Sequence, residues 1–309
     1  MMRILGVDSS IPLGSIALLE NNHIISETTL EDRANHSDGL LRAVDHVLSQ
    51  ARSSLDDVSG FGITTGPGSF TGLRVGVSLI KGFVLAREIP FKGIDTLEAV
   101  SACAEPTSHP ICALLDARKK EVYCAFFKYQ GNELKRLTPD KAITAEELCG
   151  SITEPTVFIG NGLDTYGEFL HRVLGPQYID GSKTKKHTVA ASAAILAKPF
   201  LSKNPCLDLD ELKIKYVRKS EAEINLLKKK YQTEARKMKI DAELLEKISN
   251  ENEEFKKLYE EHTLLKNRVE ELNKMKFLTA EQEVEKKKHQ KEKLKAKDRL
   301  EEILSTFQG

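Results

Sequence analysis

Short apolar runs punctuated by turn residues open the chain. Arg3 to Ser9, Gly14 to Glu20 and His23 to Leu30 are apolar or alternating, and Ile11-Pro12-Leu13-Gly14 and Asn21-Asn22 separate them. Runs of this length bounded by Gly, Pro and Asn predict an antiparallel meander of three strands. The period then changes. Leu40, Leu41, Val44, Val47 and Leu48 recur at helical spacing within His36 to Ala51, Gly60 to Thr65 is strand-like, and Phe70 to Arg87 carries a second helical apolar face. The predicted order is β-β-β-α-β-α.

A weaker copy of this order begins at Ile111. Ile111 to Ala117 places Asp116 where the first run places Asp8, Glu121 to Tyr129 follows as a strand, and Gln130-Gly131-Asn132 turns the chain. A helix near Ala145 to Cys149 leads to a strand at Thr156 to Ile159, which runs into Gly160-Asn161-Gly162. Helices follow near Asp164 to Leu174 and Val189 to Leu201. The expected fold class is α/β, with two ribonuclease-H-like lobes of the kind found in the actin, Hsp70 and sugar-kinase superfamily. The expected boundaries are 1–105 and 106–223, followed by a charged helical extension over 224–309.

Beyond residue 220, Gly and Pro vanish until Gly309, and roughly half of the residues are charged. Phe255, His262 and Val269 with Leu258, Leu265 and Leu272 keep a seven-residue repeat, which presents one apolar seam. Thr279-Ala280-Glu281-Gln282 reads as a capping box that starts a second helix through Leu294, Leu300, Ile303, Leu304 and Phe307. A helical hairpin or coiled coil over about 250–304 is expected.

Composition narrows the chemistry. Lys and Arg total 46 and so do Asp and Glu, giving a formal charge of +0, so no overall field marks the chain as a nucleic-acid or membrane binder. Cys103, Cys112, Cys124, Cys149 and Cys206 are scattered without a C-x-x-C pair, which argues against a disulfide framework or zinc site and for reduced thiols in the cytosol. The best apolar run, around Val75 to Ala86, is broken by Lys81 and falls short of the roughly 20 residues a spanning helix needs.

Gly66-Pro67-Gly68-Ser69-Phe70-Thr71-Gly72-Leu73-Arg74 sits where a strand meets a helix. Free N–H groups there can cradle a phosphate, yet the segment lacks the Lys-Ser/Thr of a P-loop and the spacing of a dinucleotide fingerprint, so a tight structural turn is the preferred reading. Gly72 and Gly76, four apart on the helix, permit another helix to approach closely. Asp8 and Asp116 stand at strand ends suited to Mg²⁺ or to a local turn bond. Asp8, Gly66, Gly68 and Asp116 are therefore the candidates for residual nucleotide binding. Ser69 and Thr71 have no nearby His to activate them, and His36 at a helix start is read as a capping or surface group more readily than as a base.

This glycine segment, with Gly6-Val7-Asp8-Ser9-Ser10, Gly14-Ser15-Ile16-Ala17-Leu18 and His36-Ser37-Asp38-Gly39-Leu40-Leu41, resembles the TsaB family, formerly called YeaZ. Lys81-Gly82, Asp116-Ala117-Arg118, Glu121-Val122-Tyr123, Gly160-Asn161-Gly162, Tyr216-Val217-Arg218 and Glu221-Ala222-Glu223 extend the resemblance over roughly residues 2 to 223. It implies a non-catalytic paralogue of TsaD, the subunit that transfers a threonylcarbamoyl group onto an adenine beside the anticodon of tRNA. The implied partners are a TsaD-like transferase, a TsaE-like ATPase and, through that complex, tRNA; self-pairing as a homodimer is the alternative when TsaD is absent. No cofactor of its own and no membrane contact are implied.

TsaD-like proteins hold their metal with a His-x-x-x-His pair in the segment Asn-His-Leu-Glu-Gly-His. The matching stretch is Asp95-Thr96-Leu97-Glu98-Ala99-Val100, so Thr96 and Val100 replace both histidines, and valine has no lone pair to offer. The resemblance places the pairing surface on the helices His36 to Ala51 and Phe70 to Arg87. Its expected contacts are His36, Leu40, Leu41, Val44, Arg74, Gly76 and Ile80, weighed against the alternative that these apolar residues face the sheet. The extension from about 250 to 304 looks like the small YdcH-like hairpin family. Lys286 to Lys297 is rich in lysine, but interleaved Glu281, Glu283, Glu285 and Glu292 favour a solvated helix face, and self-association through the seam is as plausible. Two rival readings stand beside the scaffold: a nucleotide-dependent phosphotransferase using Asp8, the Gly66 loop and Asp116, and a structural module that oligomerises through the tail.

Overall fold

The alternation of the first thirty residues becomes a meander of β1 (Arg3–Asp8), β2 (Ser15–Glu20) and β3 (His23–Thr29) in a computed structural model that describes residues 1–30, 36–203, 205–218, 247–248, 252–274 and 280–308. β1 and β2 pair antiparallel with Leu5 opposite Leu18 and Val7 opposite Ile16. β4 (Gly60–Thr64) and β5 (Phe91–Ile94) add in parallel, giving the order β3-β2-β1-β4-β5. β1 and β4 are buried on both faces and read as near-continuous apolar runs, whereas the edge strand β3 alternates.

Helices α1 (His36–Gln50) and α2 (Phe70–Arg87) cover the outer face of this sheet. Leu40, Val44 and Val47 of α1 and Val77, Ile80 and Val84 of α2 close on Leu5, Val7, Phe61 and Ile63. Burying such side chains stabilises by about 1.5–3 kcal/mol each.

The second sheet repeats the plan. β6 (Ile111–Arg118), β7 (Glu121–Gln130), β8 (Glu133–Arg136), β10 (Thr156–Ile159) and β11 (Tyr178–Asp180) stand in the order β11-β10-β6-β7-β8, and β9 (Lys141–Thr144) pairs with β7. Helices α4 (Ala145–Gly150) and α5 (Leu163–Leu174) cover its outer face, where Cys112, Leu114, Phe158, Leu148 and Leu170 pack together. Both sheets therefore carry the ribonuclease-H-like order anticipated from the duplicated pattern.

Between the sheets lie α3 (Thr96–Ser101) and α6 (Val189–Lys203). One core joins Ile4 and Leu19 of the first sheet, Leu97 and Val100 of α3, Ala113 and Phe127 of the second sheet, and Ala193, Ala194 and Ala197 of α6. The approach of α6 is set by small residues. A Cβ on Gly6 would lie 1.9 Å from the Ala190 carbonyl oxygen, and one on Gly62 would lie 2.6 Å from that of Ala193. The chain then returns to the first sheet, where the Phe91 N–H donates to the Cys206 carbonyl (3.0 Å), the Lys215 N–H donates to the Thr65 carbonyl (2.8 Å) and Leu212 joins the outer core. A boundary at residue 105 thus separates the two sheets but does not enclose the packing of the first.

By its contacts the chain divides into two compact units, Met1–Ser220 and Glu221–Gly309. The second is built from α7 (Glu253–Lys274) and α8 (Ala280–Gln308). Phe255 and Tyr259 of α7 pack with Leu300 and Ile303 of α8 and with Ile248. Arg299 meets Glu254 at 3.0 Å and Arg268 meets Glu285 at 3.0 Å, pairs that set one antiparallel register. The heptad positions Phe255, His262, Leu265, Val269 and Leu272 are buried within this unit, so the seam that sequence offers for self-association is already used in part by α8. Leu294 is exposed, the Thr279 capping box lies outside the described residues, and so do residues 221–246 and the side chains of Leu304 and Phe307. No helix among the described residues is long and apolar enough to cross a membrane.

Candidate functional site

The site grows from the end of β1. Asp8 is fully buried, and its Oδ1 accepts from the Ser10 N–H (3.0 Å), the Ser10 hydroxyl (2.5 Å) and the Thr64 hydroxyl (2.7 Å). Burial pushes the Asp8 carboxyl pKa up, against these hydrogen bonds, which pull it down. The turn at Ser9 and Ser10 is then clamped by the glycine segment. The Ser69 N–H donates to the Ser10 carbonyl at 2.7 Å, and Cβ atoms on Gly72 and Gly76 would lie 2.0 Å from the Ser9 carbonyl oxygen and 2.2 Å from its hydroxyl. The two helical glycines therefore admit the β1–β2 corner, in place of the second helix that their spacing suggests.

Several N–H groups of this segment are committed within the chain. Ser69 caps α2 by accepting from the Gly72 N–H (3.2 Å), and its carbonyl takes the Leu73 N–H (2.9 Å). Gly66, at φ +119° in the region that favours glycine, donates its N–H to the Thr96 hydroxyl (3.1 Å) and accepts from the Thr96 N–H (2.8 Å). Gly68 backs onto Ser10, whose carbonyl oxygen a Cβ would meet at 2.4 Å. A phosphate arriving at Gly66, Ser69 or Gly72 meets N–H groups already paired, which favours the structural-turn reading.

Thr96 stands in the first histidine position of the metal-binding pattern, and Val100 stands in the second. Thr96 is fully buried and spends its hydroxyl on Gly66, while Val100 is buried in the core between the sheets. The pair does not fit a metal: one side chain is engaged and the other has no donor atom.

Asp95, just before them, has a different task. Its side chain caps α3 by accepting from the Glu98 N–H (3.2 Å), and its two oxygens pair with Arg136 (2.7 Å) and Lys215 (2.7 Å). Arg136 and Lys215 both continue to Asp140 at 2.5 Å, closing a ring of four alternating charges. Burial pushes the Asp95 carboxyl up, but the Lys215 hydrogen bond and the Arg136 charge outweigh it and hold the group below its ordinary value. The ring ties α3 of the first half to the β8–β9 region of the second, and sequence reasoning missed it.

The expected docking residues separate into two groups. Leu40 and Ile80 are fully buried, Val44 is 3% exposed and Gly76 is pressed against Ser9, so none reaches a partner while α1 and α2 lie on the sheet. These four are corrected from surface to core, because the apolar period of a helix covering a sheet points inward. Leu41 is 51% exposed and Arg74 is exposed; His36 opens α1, but its side chain lies outside the described residues. Arg74 stacks its guanidinium 3.6 Å above the Phe70 ring and donates to the Tyr216 hydroxyl at 3.3 Å. Phe70, Tyr216 and Leu85, the last 73% exposed, complete an outer surface that the apolar pattern alone did not single out. Leu85 was legible as the leucine out of step with the Leu73, Val77, Ile80 and Val84 stripe.

Asp116 lies apart on the second sheet. It is half-buried and accepts from the Arg118 N–H (2.7 Å) and the Thr165 hydroxyl (3.3 Å), and it shares no partner with Asp8.

Two ribonuclease-H-like sheets facing each other across α3 and α6, with the glycine segment packed against the β1–β2 turn, define a duplicated α/β protein with a packed first corner. Residues 23–226 match the family model described as TsaD, tRNA N6-adenosine threonylcarbamoyltransferase, and the chain belongs to that family. The tRNA threonylcarbamoyladenosine biosynthesis protein TsaB of Bacillus subtilis (strain 168) is 28% identical over 225 residues, covering 72% of this chain and 96% of that protein. The TsaB protein of Escherichia coli (strain K12) is 30% identical over 149 residues, 48% of this chain and 64% of its own length. YeaZ from Pseudomonas aeruginosa shares the fold with a TM-score of 0.56 at 22% identity, over 70% of this chain and 100% of its own. Within the family the chain is thus of the TsaB, or YeaZ, type, and its helical hairpin lies beyond the matched residues.

Proposed function

We propose that the chain is a non-catalytic subunit of the assembly that forms N6-threonylcarbamoyladenosine in tRNA. It docks on a TsaD-like transferase through the outer surface of α1 and α2 and holds that partner in its active form. One observation carries this reading: the segment that would hold a catalytic metal is spent on architecture, with Thr96 bonded to Gly66, Val100 in the core and Asp95 in the ion-pair ring. A TsaE-like ATPase completes the assembly, tRNA is reached through the complex, and the site of action is the cytoplasm. In the absence of the transferase the same surface supports a homodimer.

Leu41, Arg74 and Leu85 present exposed apolar and cationic groups on this surface, with Arg74 preorganised by Phe70 and Tyr216. Reconstitution tests the proposal. The TsaD-like partner is expected to form modified tRNA only when this chain is present, and equal product without it overturns the reading. Leu41→Glu with Arg74→Glu is expected to weaken partner binding by at least about tenfold, the scale of an interface anchor, as read by calorimetry.

A further inference from the structure

α8 has two unlike sides. Ala296, Leu300 and Ile303 are buried on one of them. Glu285 and Glu292 project on that side too, and both are engaged: Glu285 with Arg268 at 3.0 Å and His289 at 3.3 Å, Glu292 with His289 at 3.4 Å. At about 100° per residue, Lys287 and Lys291 fall on the opposite side and Lys288 and Lys295 on its flank, all four within one arc of about 100°. All four are exposed, and none has an ion-pair partner among the described residues. A sequence that interleaves Glu and Lys suggests a face of mixed charge; here Glu285 and Glu292, the acids between Glu283 and Asp298, are both engaged by neighbours other than these four lysines. Exposed Glu283 precedes the stripe and exposed Asp298 follows it, so the uncompensated cations occupy a little over two turns.

Lys287, Lys291 and Lys295 rise along the axis in steps of about 6 Å, a column of cations roughly 12 Å long. Lysines are strongly hydrated point charges without the planar fork that selects a single carboxylate, which suits a repeating polyanion. A lipid surface needs an apolar face as well as cations. Here the apolar side of α8 is used on α7, and Leu294 is the one large apolar residue exposed along the stripe. The charge complementarity is therefore that of a nucleic-acid backbone.

We propose that the stripe of Lys287, Lys288, Lys291 and Lys295 is an electrostatic docking face for RNA phosphates, giving the chain a sequence-independent hold on tRNA through its hairpin. This rests on the tRNA reading of the family. The test uses the full chain, unmodified tRNA and fluorescence anisotropy between 50 and 200 mM salt. Four phosphate contacts predict that affinity falls roughly a hundredfold over that range. Replacing the four lysines by glutamine is expected to weaken binding at least about tenfold at the low-salt end and to flatten the salt slope, with the circular-dichroism helix signal unchanged. Replacement by arginine is expected to keep both affinity and slope. Equal binding by the wild type and the glutamine variant, or tighter binding to phosphatidylglycerol vesicles than to tRNA, overturns the proposal. Size-exclusion chromatography with the TsaD-like partner separates the two readings: the glutamine variant is expected to co-elute like the wild type. A wild-type chain that binds tRNA but not the partner defeats the docking reading and leaves the lysine stripe standing.

Discussion

The corner between β1 and β2 and the corner between β6 and β7 occupy equivalent places in the two sheets, yet they differ in nearly every physical respect. At the first, Asp8 is fully buried, three donors converge on one of its oxygens, and Gly68, Gly72 and Gly76 press against the turn. At the second, Asp116 is half-buried, and Arg118, Lys119 and Lys120 carry the chain through exposed left-handed positions at φ 59°, 53° and 65°. Duplication has preserved the backbone route and not the surroundings. The first corner has hardened into packing beneath α2, while the second remains an open cationic turn.

Gly72→Val strikes hardest at this contrast, because the new Cβ would lie 2.0 Å from a backbone oxygen that cannot rotate away. A loss of about 3 kcal/mol or more is expected in urea denaturation. Gly131→Ala, in the open β7–β8 turn at φ 62°, is expected to cost only about 1 kcal/mol; an equal cost at Gly72 would remove the tight packing assigned to the first corner.

Next comes Asp95→Ala, which leaves Arg136 and Lys215 leaning on Asp140 alone. About 2–3 kcal/mol is expected, below the figure for a fully buried pair because Lys215 is half-exposed. Its pH dependence has a definite sign. The folded pKa of Asp95 is lowered, so its contribution is present above the ordinary carboxylate range and is lost as pH falls through the lowered value. Asp8, raised by burial, acts in the opposite direction: its ionised form costs stability as pH rises from the ordinary range through the raised value. Stability differences between the wild type and Asp95→Asn or Asp8→Asn, followed against pH, are expected to slope oppositely, and parallel slopes contradict the assignment.

Asp8→Ala strands the Ser10 and Thr64 donors in the interior and is expected to cost about 2 kcal/mol, against less than about 1 kcal/mol for Asp116→Ala, whose donors reach water. The smallest effect sharpens the contrast from the other side. Lys119→Gly relieves a left-handed lysine and is expected to raise stability by about 0.5–1 kcal/mol, measured as a higher urea midpoint.

Elements long enough to show a period were readable from the chain, and both α1 and α2 fell where Leu40 to Leu48 and Leu73 to Val84 indicated. β5 and α3 span Phe91–Ile94 and Thr96–Ser101, too short for periodicity to declare itself. That Thr96 and Val100 offer no pair of metal donors was visible in the chain, because it depends on residue identity alone. The charge ring was not, since Asp95, Arg136, Asp140 and Lys215 each look like a surface charge until four distant segments bring them together. Leu40, Val44 and Ile80, expected at a partner surface, lie in the core, because the stripe that marks a helix in sequence is the stripe that packs on the sheet.

The position of α6 has a consequence for biosynthesis. This helix is translated after the second sheet, yet its alanines cover Gly6 and Gly62 of the first. At about 5–20 residues per second, roughly 5–20 s pass between the synthesis of residue 105 and that of residue 201. Throughout that interval the inner face of the N-terminal sheet lacks its covering helix, and the core shared by the two sheets stays incomplete. The half of the molecule that emerges first from the ribosome therefore waits for nearly a hundred further residues before its inner face is covered.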